Sequence, residues 1–154
     1  MCTSTTTKGG LSSILLTLII VITFHAFPAF GGCGLFSKKY KIGISNIMPR
    51  ISEGHPRIFK VHCASGDVEL GYRELASENS FYWDVCLSDF WGETLFFCHF
   101  WYKDNEAVFD VFNWDISKDC FPKYDCLWEV NEVILALRTD DLIVRRIHLW
   151  GDTF

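Results

Sequence analysis

Hydrophobic and polar residues from about position 41 onward follow the two-residue period of β-strands. Short runs rich in Val, Ile, Phe, Tyr and Trp recur there between turn-forming residues, and no helical periodicity of any length accompanies them. These runs predict eight strands, at residues 41–48, 57–64, 81–86, 94–102, 107–114, 126–131, 133–138 and 144–150. Eight short strands at this spacing predict an all-β fold, a small β-sandwich of mostly antiparallel strands.

The strand predicted at 57–64 alternates cleanly between apolar and polar residues. Phe59, Val61 and Cys63 fall on one face, whereas Lys60 and His62 fall on the other. This pattern is typical of a strand with one face in the core and one face in water.

The strand predicted at 94–102 carries apolar residues on both faces. One face holds Leu95, Phe97 and Trp101, and the other holds Phe96, Cys98, Phe100 and Tyr102. A strand of this kind belongs in the middle of a sheet. Residues 103–106, Lys-Asp-Asn-Glu, follow it directly and predict a tight hairpin turn.

The first 31 residues have the pattern of a secretory signal peptide. Lys8 supplies a positive charge, residues 14–24 form an apolar run of eleven, and Ala29 and Gly31 offer small side chains for cleavage. The alternative is an uncleaved anchor over residues 11–30, which is nearly long enough to span a bilayer. The polar residues and the proline in that stretch favour cleavage. We therefore expect a secreted protein with one domain, residues 32–154, and no membrane insertion after cleavage.

The charge of the expected mature chain argues against polyanionic partners. Only Lys8 of the 14 basic residues lies in the leader, so 13 remain against 19 acidic residues, a formal charge of −6. Nucleic acids and anionic membranes are bound by clustered Lys and Arg, and no such patch is present. We therefore expect no nucleic-acid partner.

Six of the seven cysteines follow the leader, and an even number in a short exported chain predicts disulfide bonds. Six cysteines permit fifteen pairings, and the sequence alone does not choose among them. A bridge from Cys63 or Cys98 to the 120–126 segment would close a long loop. Cys33 and Cys86 have two interpretations: they form a third bridge, or Cys33 pairs between chains while Cys86 is a buried thiol.

Neither a metal site nor a catalytic site is predicted. Zinc ligands commonly lie two to four residues apart, and no two cysteines have that spacing. Asp67 and Glu69 fall short of the six to eight oxygen ligands that calcium needs, so a turn in which Asp67 bonds nearby backbone N–H groups is the simpler interpretation.

The candidates for a hydrolase site are His62, His99, His148, Ser65 and Asp67, but no known catalytic motif connects them. We interpret His99 as a hydrogen-bonded core residue and His62 as an exposed strand residue.

The order of several short motifs closely resembles the plant self-incompatibility S-protein family. The matching motifs are His62-Cys63, the charged loop that ends at Leu70-Gly71, the Trp83 strand, residues 94–98 (Thr-Leu-Phe-Phe-Cys), residues 109–112 (Phe-Asp-Val-Phe), and Cys120-x5-Cys126-x-Trp128. The resemblance implies a non-enzymatic secreted protein without a cofactor. It also implies two bridges among Cys63, Cys98, Cys120 and Cys126.

Family members of known role are secreted ligands of a membrane receptor, so the resemblance implies a receptor protein on a plant cell as partner. Two polar loops are the candidate contact segments, residues 65–74 with Asp67, Glu69 and Arg73, and residues 117–125 with Lys118, Asp119, Lys123 and Asp125. The alternatives are that both loops are simply solvated, or that the protein is a secreted defence or carbohydrate-binding protein that uses an exposed Trp91 or Trp114.

Overall fold

Nine strands and one short helix make up the regular structure of the described residues. The structure is a computed structural model that describes residues 33–34, 36–51, 54–88, 94–139 and 143–153, so the predicted leader 1–31 and Trp91 lie outside it. The elements are β1 Ser37–Asn46, β2 Ile58–Ala64, β3 Glu69–Ala76, β4 Ser80–Ser88, β5 Phe96–Tyr102, β6 Asn105–Phe112, α1 Trp114–Asp119, β7 Asp125–Val130, β8 Ile134–Arg138 and β9 Val144–Leu149.

The strands form two sheets that pack face to face. The five-stranded sheet has the order β4-β1-β7-β8-β9, and the four-stranded sheet has the order β3-β2-β5-β6. Every neighbouring pair is antiparallel except β1 and β7, which are parallel. The predicted small sandwich of mostly antiparallel strands is therefore confirmed.

The core lies between the inner faces of the two sheets and is rich in aromatic rings. Phe59, Val61 and Cys63 of β2 are buried as predicted. Strand β5 lies between β2 and β6 in its sheet. The prediction that the strand at 94–102 is central is therefore confirmed. Trp128 of β7 is fully buried, and its Nε1–H donates to the Val111 carbonyl of β6 at 2.9 Å, so it ties one sheet to the other.

Three disulfide bonds connect the six described cysteines. They join Cys33 to Cys86, Cys63 to Cys98, and Cys120 to Cys126. The third bridge is therefore present, and neither Cys33 nor Cys86 is a free thiol. No bridge runs from Cys63 or Cys98 to the 120–126 segment, because Cys63 and Cys98 are direct partners on neighbouring strands.

Two elements differ from the prediction. Residues 69–76, most of the predicted loop 65–74, form edge strand β3. Leu75 is the one buried residue of β3, so the sequence of this strand (Glu-Leu-Gly-Tyr-Arg-Glu-Leu-Ala) lacks the alternation that marks a half-buried strand. Residues 114–119 form helix α1, which is too short for a helical period to be recognised.

Both predicted loops lie at one end of the sandwich. The turn 65–68 follows the end of β2, and the segment 113–124 joins the end of β6 to the start of β7. Tyr40, near the start of β1, contacts Phe112 and Tyr124 with ring centroids 5.1 Å apart in each pair, which brings these strand ends together.

The described helix is too short to cross a bilayer, and none of the described residues forms a membrane-spanning helix.

The opposite end is fastened by a buried amide. Asn46 is fully buried, and its Nδ2 donates to the carbonyls of Arg57 at 2.8 Å and Leu75 at 2.7 Å. Its Oδ1 accepts from the backbone N–H of Met48 at 3.0 Å. A buried polar side chain with all of these bonds made rigidifies the structure around it.

Candidate functional site

The loop that joins β6 to β7 begins with a well-capped helix. Asn113 has extended backbone angles, and its Oδ1 accepts from the backbone N–H groups of Asp115 at 3.0 Å and Ile116 at 2.9 Å. Asparagine is among the preferred residues at this position because it satisfies N–H groups that the first turn leaves unpaired. The buried side chain of Ile116 then anchors the helix on the core.

Strand β9 fixes the outer side of the helix through Arg146. Its Nε donates to Asp119 and its Nη2 donates to Asp115, both at 2.6 Å. Hydrogen bonds from Arg146 and then from Lys118, with the charges of both, lower the pKa of the Asp115 carboxyl. Two charge-assisted bonds from one planar guanidinium fix the orientation of the helix as well as its position.

The turn after the helix is closed by a disulfide and by backbone bonds. Cys120 and Cys126 are bridged, the Tyr124 N–H donates to the Cys120 carbonyl at 2.8 Å, and the Lys41 N–H donates to the Tyr124 carbonyl at 2.8 Å. Tyr124 has a positive φ of 59° and packs edge-on against Tyr40. The turn is therefore held both internally and against β1.

This rigid segment presents two aromatic side chains to solvent, Trp114 with 46% and Phe121 with 63% of its surface exposed. They border a shallow cleft of about 270 Å³ together with Tyr40, Lys38 and Lys118. We call Trp114, Phe121, Lys38 and Lys118 the aromatic face. Exposed aromatic anchors beside cationic side chains are the composition that protein interfaces favour at their energetic centre.

The first predicted loop does not act as one segment. Only residues 65–68 form a turn, in which Ser65 Oγ, rather than the Asp67 side chain, accepts from the Val68 N–H at 3.1 Å. Glu69 opens β3 and its Oε1 lies 2.7 Å from His62 Nε2. Arg73 lies in the middle of β3, with its guanidinium 5.3 Å from the centre of the Phe81 ring. Among the predicted residues of this loop, only Asp67 remains on a turn.

Asp67 borders a larger cleft on the open side of the sandwich between β3 and β4. The cleft has a volume of about 740 Å³, with Trp83, Phe96 and Leu70 on its apolar side and Asp84 on its rim. Asp84 is paired with Lys39 at 2.9 Å. Trp83 Nε1–H is buried and has no acceptor among the described residues. The two predicted loops therefore border separate clefts at the same end of the molecule.

The predicted residues of the second loop, unlike those of the first, lie together on one segment. Lys118 and Asp119 lie on α1 and pair with Asp115 and Arg146 respectively. Lys123 and Asp125 border a small pocket of about 120 Å³ beside Phe121. The sequence did not indicate Phe121, although its position between two bridged cysteines offered a signal that a side chain there is held outward.

A third cleft lies on the other open side of the sandwich, between β6 and β9. Its volume is about 530 Å³, and Asp110, Asn113, Arg146, His148, Asp152 and Thr153 border it; we call it the β6–β9 cleft. The His148 ring stacks on Phe109 with centroids 3.9 Å apart and an angle of 7°. Its Nδ1 lies 3.5 Å from Asp152 Oδ2.

Burial lowers the pKa of His148, and the nearby Arg146 charge acts in the same direction, while Asp152 and Asp110 oppose the shift. A histidine whose pKa is lower in the folded chain than its unfolded value of 6.5 stabilises the fold above that value. This stability is lost as the pH falls below 6.5 and through the lowered pKa.

We expect the wild type to lose more thermal stability between neutral and mildly acidic pH than a His148→Gln variant. The expected difference in Tm change is on the order of 2–4 °C, since one side chain contributes. Differential scanning calorimetry of both proteins at a series of pH values measures it. Parallel Tm profiles for the two proteins would show that His148 does not titrate in this way.

Each of three histidines pairs with a carboxylate. His62 lies beside Glu69, His99 Nε2 lies 2.9 Å from Glu106 Oε2, and His148 lies beside Asp152. His99 is hydrogen-bonded as predicted, but it lies half-buried on the outer face of its sheet rather than in the core, and His62 is also half-buried rather than exposed. The six described cysteines are all bridged and offer no thiolate. Within the described ranges, no three His, Cys, Asp or Glu side chains are placed to hold a metal ion.

Comparison with known proteins gives one consistent result. Residues 41–150 match the family model described as plant self-incompatibility protein S1. S-protein homolog 20 of Arabidopsis thaliana is 32% identical over 114 residues, which cover 73% of this chain and 78% of the relative. S-protein homolog 19 of the same plant is 30% identical over 118 residues, or 77% and 82% of the two chains, and S-protein homolog 4 is 27% identical over 131 residues, or 84% and 83%.

Proposed function

The chain belongs to the plant self-incompatibility protein S1 family, and on that basis we propose that it is a secreted, non-enzymatic ligand of a receptor protein on a plant cell. Three disulfide bonds support secretion, because such bonds persist in oxidising compartments. The leader predicted at residues 1–31 supports it independently.

The observation that carries the proposal is the exposure of Trp114 and Phe121 on a segment that a helix cap, ion pairs and a disulfide hold in place. The Asn113 cap, the Arg146 pair and the Cys120–Cys126 bridge all restrict its motion. A contact surface that is already ordered loses little conformational entropy on binding, so more of the interaction energy appears as affinity. Loops held on a rigid scaffold are the usual place for such contacts.

The chemistry of the aromatic face also indicates what the receptor would present. Lys38 and Lys118 flank the aromatic rings in a chain whose expected mature charge is −6. An apolar patch bordered by Asp or Glu on the receptor would complement both the rings and the lysines. The remaining surface of the protein would repel such a patch, which favours one orientation of docking.

Saturable binding to plant cells tests the proposal. The labelled, oxidised protein should bind intact cells at a finite number of sites, and brief protease treatment of the cells should remove those sites. Binding that does not saturate with concentration would contradict a receptor.

A secreted defence or carbohydrate-binding protein is the second candidate, and the exposed Trp114 favours it because an exposed indole can stack on a sugar ring. The same cell experiment separates the two functions. Binding that survives protease but is lost after glycosidase treatment would favour the second candidate.

A further inference from the structure

The β6–β9 cleft is built from rigid elements and belongs to none of the predicted contact segments. Its walls are the paired strand β6 and the strand β9 with the turn that follows it. Gly151 in that turn has φ +102°, a conformation that glycine adopts without strain. The Gly151 N–H donates to the Glu106 carbonyl at 2.7 Å, and the Asp152 carbonyl accepts from the Val108 N–H at 2.8 Å, so the turn is fixed against β6.

The acceptors in the cleft are held in defined positions. The Asp152 carboxylate accepts from the Leu149 N–H at 2.8 Å and faces His148. Asp110 accepts from Asn113 Nδ2 at 3.1 Å, and Asn113 is itself fixed as the helix cap. With Nδ1 of His148 turned toward Asp152, Nε2 has no partner among the described residues and is an acceptor when the ring is neutral.

The cleft also has donors that the protein does not use fully. Arg146 uses Nε and Nη2 to hold Asp119 and Asp115, which leaves the two N–H groups of Nη1 unoccupied by those bonds. Thr153 contributes a hydroxyl at the rim, which both donates and accepts. Both donors and acceptors therefore border one cavity.

The charges select among classes of small ligand. An anion would meet the carboxylates of Asp110 and Asp152, and an ammonium ion has no acceptor for the Nη1 donors of Arg146, whose charge Asp115 and Asp119 already balance. A neutral molecule with several hydroxyl groups meets neither penalty, because each hydroxyl donates and accepts. The volume of about 530 Å³ lies within the range of small-molecule sites.

We propose that the β6–β9 cleft binds a neutral sugar residue, with Asp110, Asp152 and His148 accepting from its hydroxyl groups and Arg146 donating to them. The site is separate from the aromatic face, and the proposal holds whether or not that face binds a receptor. Affinity for a single sugar ring in such an open polar cleft is expected in the millimolar range, with Kd on the order of 1–10 mM.

Chemical-shift titration of the oxidised protein at neutral pH tests the proposal. The probes are methyl glycosides of glucose, galactose, mannose, xylose and arabinose, with galacturonate as an anionic probe and ethylammonium as a cationic one, each up to roughly 50 mM. At least one neutral glycoside should shift the amide signals of residues 108–113 and 146–153, and galacturonate should bind more weakly than galactose.

Two variants and one control complete the experiment. Asp152→Asn and His148→Gln should each weaken sugar binding at least about fivefold, and their own spectra report whether they are folded. Asp67→Asn, which changes a carboxylate on the opposite open side, should leave the titration unchanged. The proposal is overturned if no neutral glycoside shifts these signals, if only ethylammonium does so, if galacturonate binds as tightly as galactose, or if folded Asp152→Asn binds like the wild type.

Discussion

Replacing Cys63 and Cys98 together by alanine is expected to lower the free energy of unfolding by about 4 kcal/mol. The bridge spans 35 residues of sequence, and chain-entropy arguments give about that value for a closed loop of this length. Both cysteines are buried between β2 and β5, so the variant also leaves unfilled space in the core. For a domain with roughly 5–15 kcal/mol of total stability the loss is large.

The Cys120–Cys126 bridge provides the matched control. It spans only six residues, and its removal by paired alanine substitutions is expected to cost about 2 kcal/mol. Urea unfolding of the wild type and both double variants measures the three free energies. An equal or larger loss from the Cys120 and Cys126 substitutions would show that loop length does not govern the contribution of these bridges.

Replacing Trp114 and Phe121 together by alanine is expected to weaken cell binding at least about a hundredfold while leaving the fold stable. Aromatic anchors at the centre of an interface commonly contribute about 2 kcal/mol or more each, and every 1.4 kcal/mol corresponds to a tenfold change in Kd. Phe121 is mostly exposed and Trp114 is close to half exposed in the free protein, so their removal costs less stability than the removal of a core ring.

Tyr72→Ala is the matched control for this pair, since Tyr72 is an aromatic side chain with 58% exposure on the outer face of the other sheet. Competition binding on intact cells gives the affinity, and thermal unfolding reports the stability. If the double variant binds with wild-type affinity, or if Tyr72→Ala loses as much affinity, the aromatic face is not part of the contact surface.

The sequence predicted the strands that bury side chains, since burial is what produces the pattern. Strands β2 and β5 lie in the middle of their sheet, and their apolar residues alternate or fill both faces as expected. Strand β3 buries only Leu75, so its sequence carries no alternation and predicts a loop instead. Helix α1 has six residues, less than two turns, so its sequence shows no helical period.

The exposed chemistry of segment 117–125 differs from what the sequence emphasises. The two cysteines at 120 and 126 indicate segment 117–125 as a contact segment. One of the charged residues predicted to make contacts there, Asp119, instead forms an ion pair with Arg146. Trp114 is exposed as the sequence predicted, whereas nothing in the sequence distinguishes Phe121 from the many aromatic residues that fill the core. The β6–β9 cleft was not visible at all, because strands distant in sequence form it.

Photo-crosslinking from position 121 tests the central claim most directly. The photoreactive residue p-benzoylphenylalanine replaces Phe121 in one protein and Val133, an equally exposed residue at the opposite end of the sandwich, in another. On illuminated plant cells, the account predicts one saturable membrane-protein adduct from position 121 and none from position 133. An adduct from position 133 alone, or the same adducts from both positions, would contradict it.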